Sequence, residues 1–176
     1  MNLIIASPLW LIALLLVALL AAAAEDAIRL RISNVTCGLV VILALIAMGL
    51  HGFPLSLWQN AVVCIAILAV GTALFAAGLF GGGDIKLMAA IGLWLNLSAV
   101  LYLLIAIAIA GGILAIGYVC ARKFGVARPA PGQRGLKVPY GLAIVAGALF
   151  VFSTQLNQHN SDPVLDRLGV THTPGR

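Results

Sequence analysis

The sequence predicts an all-α polytopic membrane protein with about six transmembrane helices and both termini on the external side, and three observations predict it. Hydrophobic residues fill 63% of the 176 positions and charged residues only 9%, against roughly 25% charged in soluble domains. The apolar residues gather into runs, most of them close to the ~20 residues that cross about 30 Å of hydrocarbon. The Lys and Arg residues collect on alternate connections between those runs, as the positive-inside rule requires. Together these exclude a soluble globular domain and a disordered chain, which needs low hydrophobicity and high charge. Three Cys in 176 residues cannot set up a disulfide scaffold. A net charge of +5 would point a soluble domain toward nucleic acid, but between spans such charge sets topology, and no nucleic-acid partner is expected.

Helices rather than strands follow from run length, because outer-membrane strands would show alternating stretches of about 10 residues. Leu3 to Ala24 is the first span. Its small residues from Ala21 to Ala24 also fit a cleavable signal peptide, but no Lys or Arg precedes the run, and Arg29 and Arg31 would have to cross the membrane, so a retained helix is expected. Val35 to Phe53 and Ala61 to Phe80 follow. The connection between them, His51 to Asn60, has no Lys or Arg and reads as an outward loop. Ile85 to Leu97 is short for a span. Asn96 and Ser98 interrupt a stretch that would otherwise run about 35 residues, too long for one crossing, so a turn there sets off Ala99 to Ala121; five spans is the alternative. Val138 to about Leu156 is the last.

Between Arg122 and Pro139, the residues Pro129, Pro131, Gly132 and Gly135 break helices and suit a cytoplasmic hinge. One membrane-embedded domain, residues 1–156, is expected, with 157–176 a polar, poorly ordered tail. Arg29, Arg31, Lys86, Arg122, Lys123, Arg128, Arg134 and Lys137, eight of the ten basic residues, then share the inner side. A multi-pass location in the cytoplasmic membrane follows.

Chemistry is sought first among the five acidic residues. Asp26 and Asp84 both fall where apolar segments meet the inner face, and a carboxylate costing about 2.5 to 3.5 kcal/mol near the membrane core is by default a functional candidate. Each has a plainer reading. Asp84, after Gly81, Gly82 and Gly83 and before a helical run, could be an N-cap; the same glycines would let a substrate backbone approach a carboxylate closely. Asp26 with Glu25, Arg29 and Arg31 could be an interfacial ion-pair cluster. Two aspartates at one depth on one face, however, can share a proton and activate water without metal, one as base and one as acid.

Cys37, Cys64 and Cys120 are isolated, and His51, His159 and His172 fall on the outer side, so no metal site and no cofactor are expected. Trp10, Trp58 and Trp94 read as interface anchors or packing residues. Three pairs spaced four apart, Gly78 with Gly82, Ala108 with Gly112 and Ala143 with Gly147, read as close helix packing.

Three blocks then carry a resemblance. The string GGGDIKLMAA, Gly81 to Ala90, resembles the Gly-x-Gly-Asp-x-Lys signature of the type IV prepilin peptidases, membrane aspartic proteases that remove leaders from pilin-like subunits. DAIRLRISN, Asp26 to Asn34, resembles the small Flp or tight-adherence branch, in which the Asp stands six residues before Ile-Pro-Asn; Ser33 replaces that Pro. VPYGLAIVAGAL, Val138 to Leu149, resembles the start of the family's last helix. Presenilin-type relatives pair Gly-x-Gly-Asp with Tyr-Asp and Pro-Ala-Leu, a pattern this chain lacks. It also lacks the Cys-x-x-Cys region of larger members and resembles the peptidase-only ones.

The resemblance implies an aspartic endopeptidase that cleaves Flp-type prepilins at the cytoplasmic face, with Asp26 and Asp84 catalytic. Gly81, Gly82, Gly83 and Lys86 would form the active-site loop, and Asn34, Pro139, Tyr140 and Gly141 would support it. The partners implied are a prepilin-like substrate and membrane lipid. The rival reading of the residues alone is a small proton-coupled transporter or channel subunit, since intramembrane carboxylates also serve proton relays; an inactive assembly subunit is a third.

Overall fold

A computed structural model of the chain describes residues 2–52, 57–123 and 139–167. Among these there are seven helices and no strand: α1 (Leu3–Ala6), α2 (Leu9–Arg29), α3 (Asn34–Leu50), α4 (Trp58–Ala76), α5 (Gly82–Gly92), α6 (Leu97–Lys123) and α7 (Tyr140–Arg167). Four helices, α2, α4, α6 and the first part of α7, are long and apolar enough to cross a membrane. The 17-residue α3 is apolar but shorter. The 11 residues of α5 extend about 16 Å, half of the hydrocarbon thickness. The hinge between Lys123 and Pro139, with Arg128, Arg134 and Lys137, and the tail from residue 168 lie outside the described residues.

The first apolar run divides. Ser7 and Pro8 separate α1 from α2, because Pro lacks an N–H and disfavours helical geometry in the residue before it. Leu3 and Ile4 are fully buried, and the Leu3 N–H donates to the Trp94 carbonyl at 2.9 Å. Helix α2 then buries Leu11, Leu15, Leu19, Ala22 and Asp26, a stripe at spacings of three and four. Asp26 faces inward because it continues that stripe.

Helix α4 ends in a Schellman motif. Gly78 has φ +72°, its N–H reaches the Phe75 carbonyl, and the Leu79 N–H reaches the Leu74 carbonyl at 3.0 Å, the pattern that a left-handed glycine permits. Gly78 is thus a cap rather than half of a packing pair, and Gly112 likewise faces open space. Gly147 does pack closely: a Cβ there would stand 3.0 Å from the Ile107 backbone nitrogen, which seats α7 on α6.

Helix α5 runs back through the interior, antiparallel to α4. A Cβ on Gly71 would overlap Ile85, and one on Gly92 would stand 2.9 Å from Ile67. The turn after α5 is pinned at the far end of the bundle by Asn60, whose amide donates to the Leu93 carbonyl at 2.9 Å. Trp94, fully buried, donates its indole N–H to the Val40 carbonyl at 3.2 Å; Trp10 and Trp58 stay exposed. Asn96 caps α6 by accepting from the Ala99 N–H at 2.9 Å, so the chain turns where Asn96 and Ser98 predict. In lipid, such close approaches and interhelical hydrogen bonds, rather than hydrophobic burial, hold helices together. Large apolar side chains such as Leu9, Ile28, Val35, Ile65 and Ile116 face outward, and the apolar helices together make this a multi-pass membrane protein.

Candidate active site

One end of the bundle brings together the C-terminus of α2 and the N-termini of α3, α5 and α7. A cleft of about 290 Å³ opens there, lined by Asp26, Leu30, Arg31 and Ile32 from the end of α2 and the turn after it, and by Gly81, Gly82, Gly83 and Asp84 from the start of α5. The two aspartates predicted as a pair therefore line one cavity, 58 positions apart in the chain.

Asp26 is 5% exposed. Its Oδ2 accepts from the backbone N–H of Gly141 at 2.6 Å, in the first turn of α7, where helical N–H groups have no partner within the helix. Gly141 cannot be replaced without movement, since a Cβ would come within 2.8 Å of the Asp26 Cβ and Oδ2. The ion-pair reading of Asp26 gives way to this inward geometry, and it is Glu25 that turns toward the loop.

Asp84 is not the N-cap. That position belongs to Gly81, and Asp84 stands three residues on and accepts from the Gly81 N–H, half of a capping box. Burial first, and the charge of Asp26 second, push the Asp84 carboxyl up to about 6, against the Gly81 bond, which favours the ionised form. None of the three glycines has a positive φ, and two of them, Gly81 and Gly83, stand at close approaches, whereas Gly82 has only ordinary contact with Phe75. A Cβ on Gly81 would stand 2.7 Å from Asp84 Oδ2, and one on Gly83 would stand 3.2 Å from the Ile32 carbonyl oxygen.

The supporting residues divide. Tyr140 packs its ring on Phe80, centroids 5.7 Å apart, so the residue before the glycine turn touches the residue before Gly141. Lys86 donates to Asn34 Oδ1 at 2.8 Å; this pair lies off the carboxylate cleft and borders a separate groove of about 260 Å³ with Cys37 and Cys64. Pro139 directly precedes α7. Sequence reasoning missed three contributors. Phe80 carries no periodic signal. Leu30 ends α2 at φ 52°, a left-handed conformation costly for a branched residue. Glu25 accepts from the Ser33 N–H and the Thr36 hydroxyl, both at 2.9 Å; Ser-x-x-Thr at a helix start could have signalled the cap.

Among the described residues, no group of three or more His, Cys, Asp or Glu gathers. Two carboxyls on one cleft, one of them inclined to hold its proton, are the elements of acid–base hydrolysis of an amide. No curated protein and no solved structure matches the chain. The model of the type IV leader peptidase family matches residues 13–116, more than half of the sequence and a span that contains Asp26 and Asp84. The chain therefore belongs to the type IV leader peptidase family, a family of proteases.

Proposed function

We propose that this protein is a membrane aspartic endopeptidase that removes the leaders of Flp-type prepilins at the cytoplasmic face of the inner membrane, with Asp26 and Asp84 as its dyad. The observation that carries the reading is the single cleft shared by these two carboxyls, at the end of the bundle where Arg29, Arg31, Lys86 and Lys123 also fall. Both ends of the described chain belong to the opposite end, where Asn2 donates to Gln155 at 2.9 Å, which fits external termini.

In this reading the ionised aspartate takes a proton from water as the water oxygen adds to the scissile carbonyl carbon. The protonated partner gives its proton to the carbonyl oxygen. In the collapse of the resulting gem-diol the aspartate now protonated gives its proton to the leaving nitrogen as the C–N bond breaks, while the ionised one takes a proton from a gem-diol hydroxyl as the carbonyl re-forms, so the dyad ends with the one shared proton it began with. By resemblance the bond follows a Gly at the membrane boundary, where the least helix-prone ordinary residue lets a helical substrate unwind.

The test is leader removal in membranes that contain the protein and a prepilin. Asp26→Asn and Asp84→Asn should each abolish cleavage while accumulating like wild type, and the double variant should lose no more, since dyad members act as a unit. Near-normal processing by either variant would take that residue out of the dyad.

A further inference from the structure

The dyad's spacing depends on a turn that neither aspartate belongs to. Residues 30–33 join α2 to α3, and Ile32 in this turn bears on Gly83 so closely that a Cβ there would meet both the Ile32 Cβ and its carbonyl oxygen at 3.2 Å. Gly83 leads directly into Asp84. Ile32 is thus one support of the first turn of α5, beside the Cys37 thiol, which reaches the Gly83 carbonyl at 3.9 Å.

Hydrogen bonds at both ends of the turn hold Ile32. At one end the Leu30 N–H closes α2 onto the Asp26 carbonyl at 2.9 Å, with Leu30 itself left-handed. At the other end stands Ser33, whose N–H donates to Glu25 Oε2 at 2.9 Å. The second oxygen of Glu25 accepts from the Thr36 hydroxyl at 2.9 Å, and the Ser33 hydroxyl accepts from the Thr36 N–H at 3.1 Å. One carboxylate, on the residue beside Asp26, thus ties α2 to both the end of the turn and the first turn of α3. Glu25 is absent from the cleft lining.

We propose that Glu25 is a positioning residue: by gripping Ser33 and Thr36 it fixes the Ile32 backbone against Gly83 and so sets where Asp84 stands relative to Asp26. The inference rests on the dyad reading above. Its physical basis is that a shift of about 1 Å in a reacting group can cost some 100-fold in rate. The backbone at Ser33, φ −75° and ψ 148°, supplies an independent handle, because proline imposes that φ covalently. A proline there needs no Glu25 acceptor, having no N–H to satisfy.

The experiment measures kcat and KM for leader removal from one prepilin that the wild-type protein cleaves in detergent. Glu25→Ala should lower kcat by about 10- to 100-fold with KM within about threefold, since the cleft lining is intact. Glu25→Gln, which keeps one oxygen for the Ser33 N–H and an amide for the Thr36 hydroxyl, should recover most of the loss. Glu25→Ala combined with Ser33→Pro should recover at least about threefold of the loss, because φ at this position is again fixed although the Ser33 hydroxyl cap on Thr36 is given up. Should Glu25→Ala not accumulate, Thr36→Val, which removes one of the two donors, should show a fall in kcat of about 3- to 10-fold.

Wild-type kcat in Glu25→Ala, or a loss that neither glutamine nor proline relieves, would overturn the positioning role while inactive Asp26→Asn and Asp84→Asn controls leave the dyad standing. Activity in those controls would overturn the dyad, and this inference with it.

Discussion

Lys86 on α5 donates to Asn34 at the start of α3, Nζ to Oδ1 at 2.8 Å. Both residues belong to the blocks that carry the family resemblance, yet the contact is exposed and lies beside the carboxylate cleft rather than in it. The contact ties α5 to α3 two residues beyond Asp84.

Lys86→Ala is therefore expected to slow cleavage by about 2- to 10-fold, the range of one ordinary solvent-exposed hydrogen bond, and not to abolish it. Asn34→Ala should cost the same, and the double variant no more than either single one. Additive losses in a kinetic double-mutant cycle would show that the two residues act apart.

Gly141→Ala should be nearly inactive. The new methyl would come within 2.8 Å of Asp26, so either the carboxylate or the first turn of α7 must move, and a displacement of that order costs about 100-fold or more in kcat. Gly112→Ala, on α6 with open space around its Cβ position, is the control that keeps wild-type activity. Equal rates for the two variants would mean that the Gly141 contact does not constrain Asp26.

The pH dependence has a definite sign. The Asp84 carboxyl, raised from 3.8 to about 6, holds its proton more tightly in the folded state than in the unfolded one. The stability this confers is complete below the ordinary value and is lost as pH rises through about 6. Asp84→Asn removes that loss. Its melting temperature should match that of wild type near about pH 4 and exceed it near about pH 8; a gap of the opposite sign would mean that Asp84 is not held protonated. Cleavage by the wild-type protein, with Asp84 as the acid, should decline over the same rise through about 6.

Topology can be read with single cysteines in a background free of Cys37, Cys64 and Cys120. Ser98, exposed at the start of α6, and Lys123, exposed at its end, lie at opposite ends of one apolar helix. An impermeant maleimide should label Ser98→Cys in intact cells and spare Lys123→Cys until the membrane is opened. The reverse pattern would invert the proposed orientation.

Much of this was legible in the sequence, and the limits have physical causes. The inward face of Asp26 follows from Leu15, Leu19 and Ala22 at helical spacing, and the break before α6 follows from Asn96. The glycine turn was legible as a place of close approach, but what approaches, the Ile32 backbone, was not. Periodicity describes one helix at a time, whereas contacts such as Ile32 with Gly83 or Phe80 with Tyr140 depend on how helices pack. The division at Pro8 and the cap at Gly78 were open to turn chemistry, but strong hydrophobic runs hid them. Glu25 shows the same limit, because its partners Ser33 and Thr36 come within reach only when the chain reverses at a left-handed Leu30.

The Gly141–Asp26 bond spans 115 positions, and this has a consequence for how the protein is made. Synthesis delivers Asp26 early, Asp84 midway and Gly141 only with the last helix. A chain still on the ribosome, or one cut short before Pro139, holds both aspartates but not the N–H that orients the first of them. The hydrogen bond that holds Asp26 in the finished fold thus becomes available only once the last helix has been made.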